Sequence, residues 1–376
     1  MKQFYPFIIS LVLFGIFVAL PANWFKGLIS NQTLSEQRNL LSEQVLKGTL
    51  LQNKLYETNN YYPIYGSSEL GKQDPFHPAV MLTHRVKKPP FLVGTGGSTD
   101  LINAVTLAAN FDQLNGKKLT FIISPQWFTQ RGLTRENFNA RISETQIAQL
   151  FKQQQMSKHL KERYAQRLLQ FKDVKNKPFL HDMSRNKQQS SHAYVSSFKE
   201  NQLLKIEAIK AAFPLNKQAF KHVGEDTSHR SWTSLKAEAE LYGQQHSMSN
   251  QYNIQDKYWQ LIQAKQRKFK RNHEFKVHSP EFEDLALLVD TLKAAGADVQ
   301  YIVIPTNGKW YDHIGIKSKQ RQMIYQKIKD TITAKDGKLY DMTSKDYEPY
   351  VISDAVHIGW KGWVYVNEQI VLHQNQ

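Results

Sequence analysis

The chain has 376 residues and a formal charge of +16 at pH 7, from 49 lysines and arginines against 33 acids. It has no cysteine, which excludes disulfides, cysteine–zinc sites and a thiol nucleophile and leaves serine or a carboxylate for covalent catalysis. The length suits one large or two modest domains, the 41% hydrophobic content is enough for a core, and the charge favours polyanions such as nucleic acid, anionic lipid or a teichoic-acid-like polymer.

Residues from Phe4 to Phe25 carry no charge and are almost all apolar. Such a run suits one membrane-crossing helix of about 20 residues. Pro6 sits where a first turn tolerates it, and Trp24 where an interfacial aromatic belongs. Cleavage as a signal peptide after Ala22 would put Leu20 at the −3 position, where a small residue is wanted. Residues 1–25 are therefore expected to be an uncleaved anchor. Lys2 and the amino terminus nearly balance Lys26 across it, so orientation is poorly encoded. Over residues 26–60, Leu34, Leu40, Leu41, Val45, Leu50, Leu51 and Leu55 recur at helical spacing. One or two amphipathic helices follow, either as a linker or packed on the body.

Residues 61–376 alternate strand and helix patterns. Apolar runs at Ile64–Gly66, Pro90–Val93, Lys118–Ser124, Val299–Ile304 and Lys338–Met342 read as strands. Thr99–Phe111, Glu281–Ala295, Ser318–Ala334 and a segment after Gly359 read as helices. This order predicts an α/β fold, a parallel sheet flanked by helices, with its active edge at the carboxyl ends of the strands. Residues 133–278 break the pattern with a helical insertion, including helices over Ile147–Leu169 and Phe198–Phe213. Its mix of basic residues (Lys152, Lys158, Lys161, Arg163, Arg167) with Trp232, Tyr252, Tyr258 and Trp259 reads as a solvated helical face rather than a nucleic-acid surface. Shaping of a substrate cleft is a further role it could take.

Three stretches carry chemistry. Tyr61–Tyr65 runs into Gly66-Ser67-Ser68 and then Glu69-Leu70, a strand, a small-residue turn and a helix start. That geometry exposes a serine hydroxyl beside backbone N–H groups. Gly94, Gly96 and Gly97 follow a strand, where glycine lets N–H groups approach an oxyanion; a tight turn is the plain alternative. Position 99 is Thr, so the loop lacks the dinucleotide fingerprint. Asp354 and His357 stand three apart, close enough for the carboxylate to hold one imidazole nitrogen while the other faces a substrate. Asp312-His313 is a rival pair, but adjacent strand residues point to opposite faces. Trp360 and Trp363 read as core. No histidine spacing suggests a metal site, and no cofactor is expected.

An early serine with a late Asp-x-x-His is the chain order of the SGNH/GDSL hydrolases. More closely, the chain resembles the DltD family of D-alanyl transfer proteins of Gram-positive bacteria along most of its length. The residues that carry this are Gly66–Leu70, Gly94–Ser98, Ser124-Pro125-Gln126-Trp127-Phe128, Asn307–Asp312 and the Asp354/His357 tail. The resemblance implies that Ser68 is the nucleophile, with a slip to Ser67 left open. It implies His357 as general base and Asp354 as its orienter. Gly94, Gly97 and Gln126 are the implied oxyanion donors; Gln126 stands where the SGNH pattern has Asn. The family likeness further implies an extracellular catalytic domain on a single-pass anchor at the cell membrane. Its implied work is D-alanylation of lipoteichoic acid, with the membrane acyltransferase DltB, the small protein DltX and the carrier protein DltC as partners. Hydrolysis of a D-alanyl thioester or ester, and a non-catalytic scaffold, are the alternatives.

Overall fold

The computed structural model describes residues 4–72, 74–185, 193–214, 226–264 and 271–376. Five runs form strands: β1 (Tyr62–Tyr65), β2 (Pro90–Val93), β3 (Lys118–Ile123), β4 (Asp298–Val303) and β5 (Lys338–Asp341). They make one sheet in the order β2-β1-β3-β4-β5, with every neighbouring pair parallel. Side-chain alternation explains why. Tyr62, Ile64, Leu92, Ile122 and Ile302 join one core, while Tyr65, Phe91, Val93, Phe121, Ile123 and Val303 join another. Both faces of the sheet are apolar and must be covered. Helices Asp100–Ala108, Glu281–Ala294 and Ser318–Thr333 cover one face. Helices Trp360–Asn375 and Trp232–His246 cover the other. Trp360 and Trp363 lie in this second core, 2% and 0% exposed, and are packing residues.

No strand occurs among the described residues of 133–278, and the insertion is fastened to the sheet's helices. Arg167 donates two hydrogen bonds to the Asp284 carboxylate (2.6 and 2.8 Å) in a nearly dry fork. The helix expected over 147–169 is two helices, Glu144–Lys152 and Lys158–Leu169. Ser157 divides them by accepting the Leu160 N–H as an N-cap (3.2 Å). Residues 26–60 supply helices Asn31–Gln37, Glu43–Lys47 and Leu50–Thr58. Leu34, Val45, Leu51 and Leu55 enter the first core, so this region packs on the body.

The expectation of a membrane-crossing helix is corrected. Among the described residues, no helix is long and apolar enough to cross a membrane. The apolar run forms helix Tyr5–Ala19, 15 residues and about 22 Å by the usual rise, short of a hydrocarbon core of about 30 Å. Pro21 is the cause. It biases the preceding residue away from helical geometry, and Leu20 is extended at ψ 139°. A separate turn of helix follows at Asn23–Lys26. Lys2, weighed above for orientation, lies outside the described residues.

The carbonyls freed at this break are met by the body. Lys205, in helix Ser197–Ala212, donates to the carbonyls of Phe17 (2.6 Å), Val18 (3.0 Å) and Leu20 (3.0 Å). Gln202 donates to Val18 O and Asn201 to Leu20 O, while the Asn201 side chain accepts the Ala22 N–H. An ammonium at the negative end of a helix is well placed, and the orphan carbonyls there need donors.

Candidate active site

Loops at the carboxyl ends of the sheet converge beside β1, where the strand order reverses direction between β1 and β3; open parallel sheets bind ligands there. After β1 the chain turns through Gly66 and Ser67 into a short 3-10 helix, Ser68–Gly71. The turn is pinned from several sides. The Ser67 N–H donates to the Glu69 carboxylate (2.5 Å), whose other oxygen accepts from Ser124 Oγ after β3 (3.1 Å). Ser67 Oγ donates to Thr95 O after β2 (3.3 Å) and accepts the Trp127 indole N–H (3.0 Å). Asn103 donates to Gly66 O (3.2 Å). Glu69 is 1% exposed. Burial pushes its carboxyl above the ordinary range, opposed by the Ser67 N–H and by the nearby His357.

Asp354 and His357 lie in a tight loop closed by an Ile352–Ile358 bridge rather than in a helical turn. One Asp354 oxygen accepts the N–H groups of Val356 (2.8 Å) and His357 (2.9 Å), and the other meets His357 Nδ1 at 2.6 Å. His357 Nε2 lies 2.8 Å from Ser68 Oγ. Burial alone would raise the Asp354 carboxyl, but the His357 hydrogen bond and charge and the two N–H groups outweigh it and bring it down to about 2. The carboxylate is therefore ionised at neutral pH. It holds the imidazole through Nδ1, which leaves Nε2 facing Ser68 Oγ. The rival pair Asp312-His313 lies in the last turn of helix Gly308–His313, not in a strand. Asp312 is engaged elsewhere, accepting from Arg321 (2.8 Å) and from Tyr347 OH (2.6 Å).

The expected oxyanion donors Gly94, Gly97 and Gln126 have these surroundings. A side chain on Gly94 would run into the Gly66 carbonyl, so this glycine permits close approach of the two strand ends. Gly97 has φ +85°, and a Cβ there would strike Asn137. Gly96 is the glycine that faces the serine: a Cβ on it would stand 3.7 Å from Ser68 Cβ. Gln126 is half-buried on the wall of a neighbouring cavity of about 730 Å³.

Beside His357 lies a smaller cavity of about 160 Å³, walled by Tyr258, Leu261, Ile262, Arg271, Trp310 and Val356. Three of these come from helix Asp256–Ala264 of the insertion, which thus forms part of the site. Lys72, just past the serine turn, sits 4.5 Å over the Tyr258 ring. Sequence reading assigned no role to Glu69, Arg271, Leu261 or Ile262. Glu69 was detectable as an acid in a buried turn; the others reach the site only through the tertiary path of the insertion.

Among the described residues, no group of three or more His, Asp or Glu could hold a metal ion. Comparison with known proteins gives a consistent result. The family model "DltD protein" matches residues 38–375. Protein DltD of Staphylococcus aureus (strain NCTC 8325 / PS 47) is 58% identical over 375 residues, covering 99% of this chain and 96% of its own. Protein DltD of Bacillus subtilis (strain 168) is 33% identical over 389 residues, with 98% and 96% coverage. That of Lacticaseibacillus rhamnosus is 26% identical over 380 residues, with 97% and 89%. A match spanning nearly the whole chain, at these identities, means that the chain belongs to the DltD family.

Proposed function

We propose that this protein is a serine acyl transferase of SGNH type that works in D-alanylation of lipoteichoic acid. The observation that carries the reading is the continuous line Ser68 Oγ, His357 Nε2, His357 Nδ1, Asp354 Oδ2, at 2.8 and 2.6 Å across its two contacts. In the first half-reaction Ser68 Oγ attacks the acyl carbonyl carbon of a D-alanyl donor. His357 takes the hydroxyl proton and returns it to the leaving group as the carbonyl–leaving-group bond breaks. In the second, a polyol-phosphate hydroxyl gives its proton to His357 and attacks the Ser68 ester. The new ester forms and Ser68 regains its proton. Asp354 holds the imidazole and stabilises the imidazolium in both. The Ser68 N–H and the loop of Gly96, whose Cβ position would stand 3.7 Å from Ser68 Cβ, are the proposed donors to the oxyanion.

The small, largely apolar cavity beside His357 suits a short acyl group, and the +16 charge suits a polyanionic acceptor. Partnership with DltB, DltX and DltC, and a place at the outer face of the cell membrane, belong to the same proposal. The exposed apolar side chains of helix Tyr5–Ala19 support seating in lipid without requiring a full crossing. The test is a fluorophosphonate probe, followed by intact mass after incubation with a D-alanyl thioester. An adduct of one D-alanyl group on the Ser68 peptide is expected. No probe adduct on the folded protein would sink the transferase reading.

A further inference from the structure

One arginine belongs to two cavities at once. Arg271 lines the 160 Å³ cavity with Asp354 and His357, and it lines the 730 Å³ cavity with Gln126, Trp127, Gln130, Arg131 and His273. Its guanidinium is held from behind. Nη1 donates to Glu274 (2.8 Å) and to Tyr311 OH (3.2 Å), and Tyr311 OH in turn donates to the other Glu274 oxygen (2.5 Å). Among the described residues, Nε and Nη2 have no protein partner, and the side chain is 24% exposed. A guanidinium fixed through one nitrogen, on the lining of two cavities, keeps N–H groups on Nε and Nη2 that can take a planar pair of oxygens. Arg131 adds a second cation to the larger cavity, whose lining contains one acid, Glu274, already paired with Arg271 and Tyr311.

We infer that Arg271 is the anion-binding element of an acceptor subsite, gripping a phosphodiester while the neighbouring polyol hydroxyl enters the triad cavity. This rests on the transferase reading above and assigns it a residue and a chemical class. The larger cavity takes the polyol-phosphate chain, and the smaller one takes the acyl group on Ser68. Arg271 stands where the two meet, so one phosphate contact sets which hydroxyl reaches His357. Because the guanidinium is immobilised before ligand arrives, little side-chain freedom is lost on binding.

The experiment is titration of the full-length protein with glycerophosphoglycerol at low salt, with plain glycerol and inorganic phosphate alongside. Binding of this kind needs no active serine, and fluorophosphonate labelling of the same sample reports the triad separately. Wild type should bind the diester more tightly than either comparator. Arg271→Gln should weaken that binding by roughly 10- to 100-fold, the worth of a charged hydrogen-bond pair. Arg271→Lys keeps a cation for Glu274 and guards against a variant that fails to fold; it should lose part of the affinity because it lacks the fork. Equal diester affinity in wild type and both variants overturns the assignment, as does a wild type that does not bind the diester. A preference for inorganic phosphate over the diester overturns the acceptor class.

Discussion

Ser67 and Ser68 are adjacent and chemically alike, yet their surroundings separate them. Ser67 Oγ is occupied on both sides, by Thr95 O and the Trp127 indole, whereas Ser68 Oγ faces His357. Ser68→Ala should therefore abolish fluorophosphonate labelling and cut turnover by roughly 10⁴- to 10⁶-fold, with His357→Ala costing about as much. Asp354→Ala should cost less, because the imidazole keeps its nitrogen without its orienter. Ser67→Ala should still label. Labelling lost in Ser67→Ala but kept in Ser68→Ala would reverse the assignment. That Ser68, His357 and Asp354 would meet was legible in the sequence because each sits in a short local motif. The glycine facing the serine was not, since Gly94, Gly96 and Gly97 differ only in how β2 meets β1 and in what lies above them.

At the scale of elements, the strands and the sheet helices outside the insertion were legible within a few residues, because a sheet covered on both faces forces continuous apolar runs; helix Trp232–His246 was not. The break after Ala19 was harder to see: hydropathy counts Leu20 and Ala22 as apolar, while Pro21 acts through backbone geometry. Two elements make predictions. Helix Glu281–Ala294 begins with Glu281, buried near Asp100 and Asp284, and burial together with those two carboxylates raises its carboxyl well above the ordinary 4.5. The folded protein thus holds this proton more tightly than the unfolded chain. Its stability contribution is present below the ordinary carboxylate range and is lost as pH rises through the raised value. Glu281→Gln imitates the protonated form and keeps an acceptor for the Asp100 N–H. Its melting temperature should exceed that of wild type at pH 8 and match it near pH 4; the same offset at both values would dismiss the account. The second element is helix Tyr5–Ala19, whose carboxyl end Lys205 grips. Spin labels at Leu13 and Met323, both exposed, should report a narrow distance distribution in the wild-type background. Lys205→Met should broaden it, and an unchanged width would show that the grip does not orient the helix.

For the whole molecule, the charge of +16 gives a long-range pull on polyanions that ions screen beyond about 8 Å at physiological strength. Affinity for lipoteichoic acid should fall steeply between low and physiological salt, measured by binding to immobilised polymer; salt-independent affinity would remove electrostatics from the account. The same whole-chain view gives the triad a history in time. Ser68 and His357 are separated by 289 positions in the chain, although their reacting atoms are 2.8 Å apart. At about 5–20 residues per second, Ser68 is incorporated roughly 15 to 60 s before His357, its proposed base. Through that interval the hydroxyl is an ordinary alcohol, unreactive toward any acyl donor it meets. In the proposed mechanism the hydroxyl gains its base only once the loop before the last helix, Trp360–Asn375, is in place, and that helix packs into the second core. On the proposed mechanism, a chain that stops short of His357 lacks its base and should show no serine labelling.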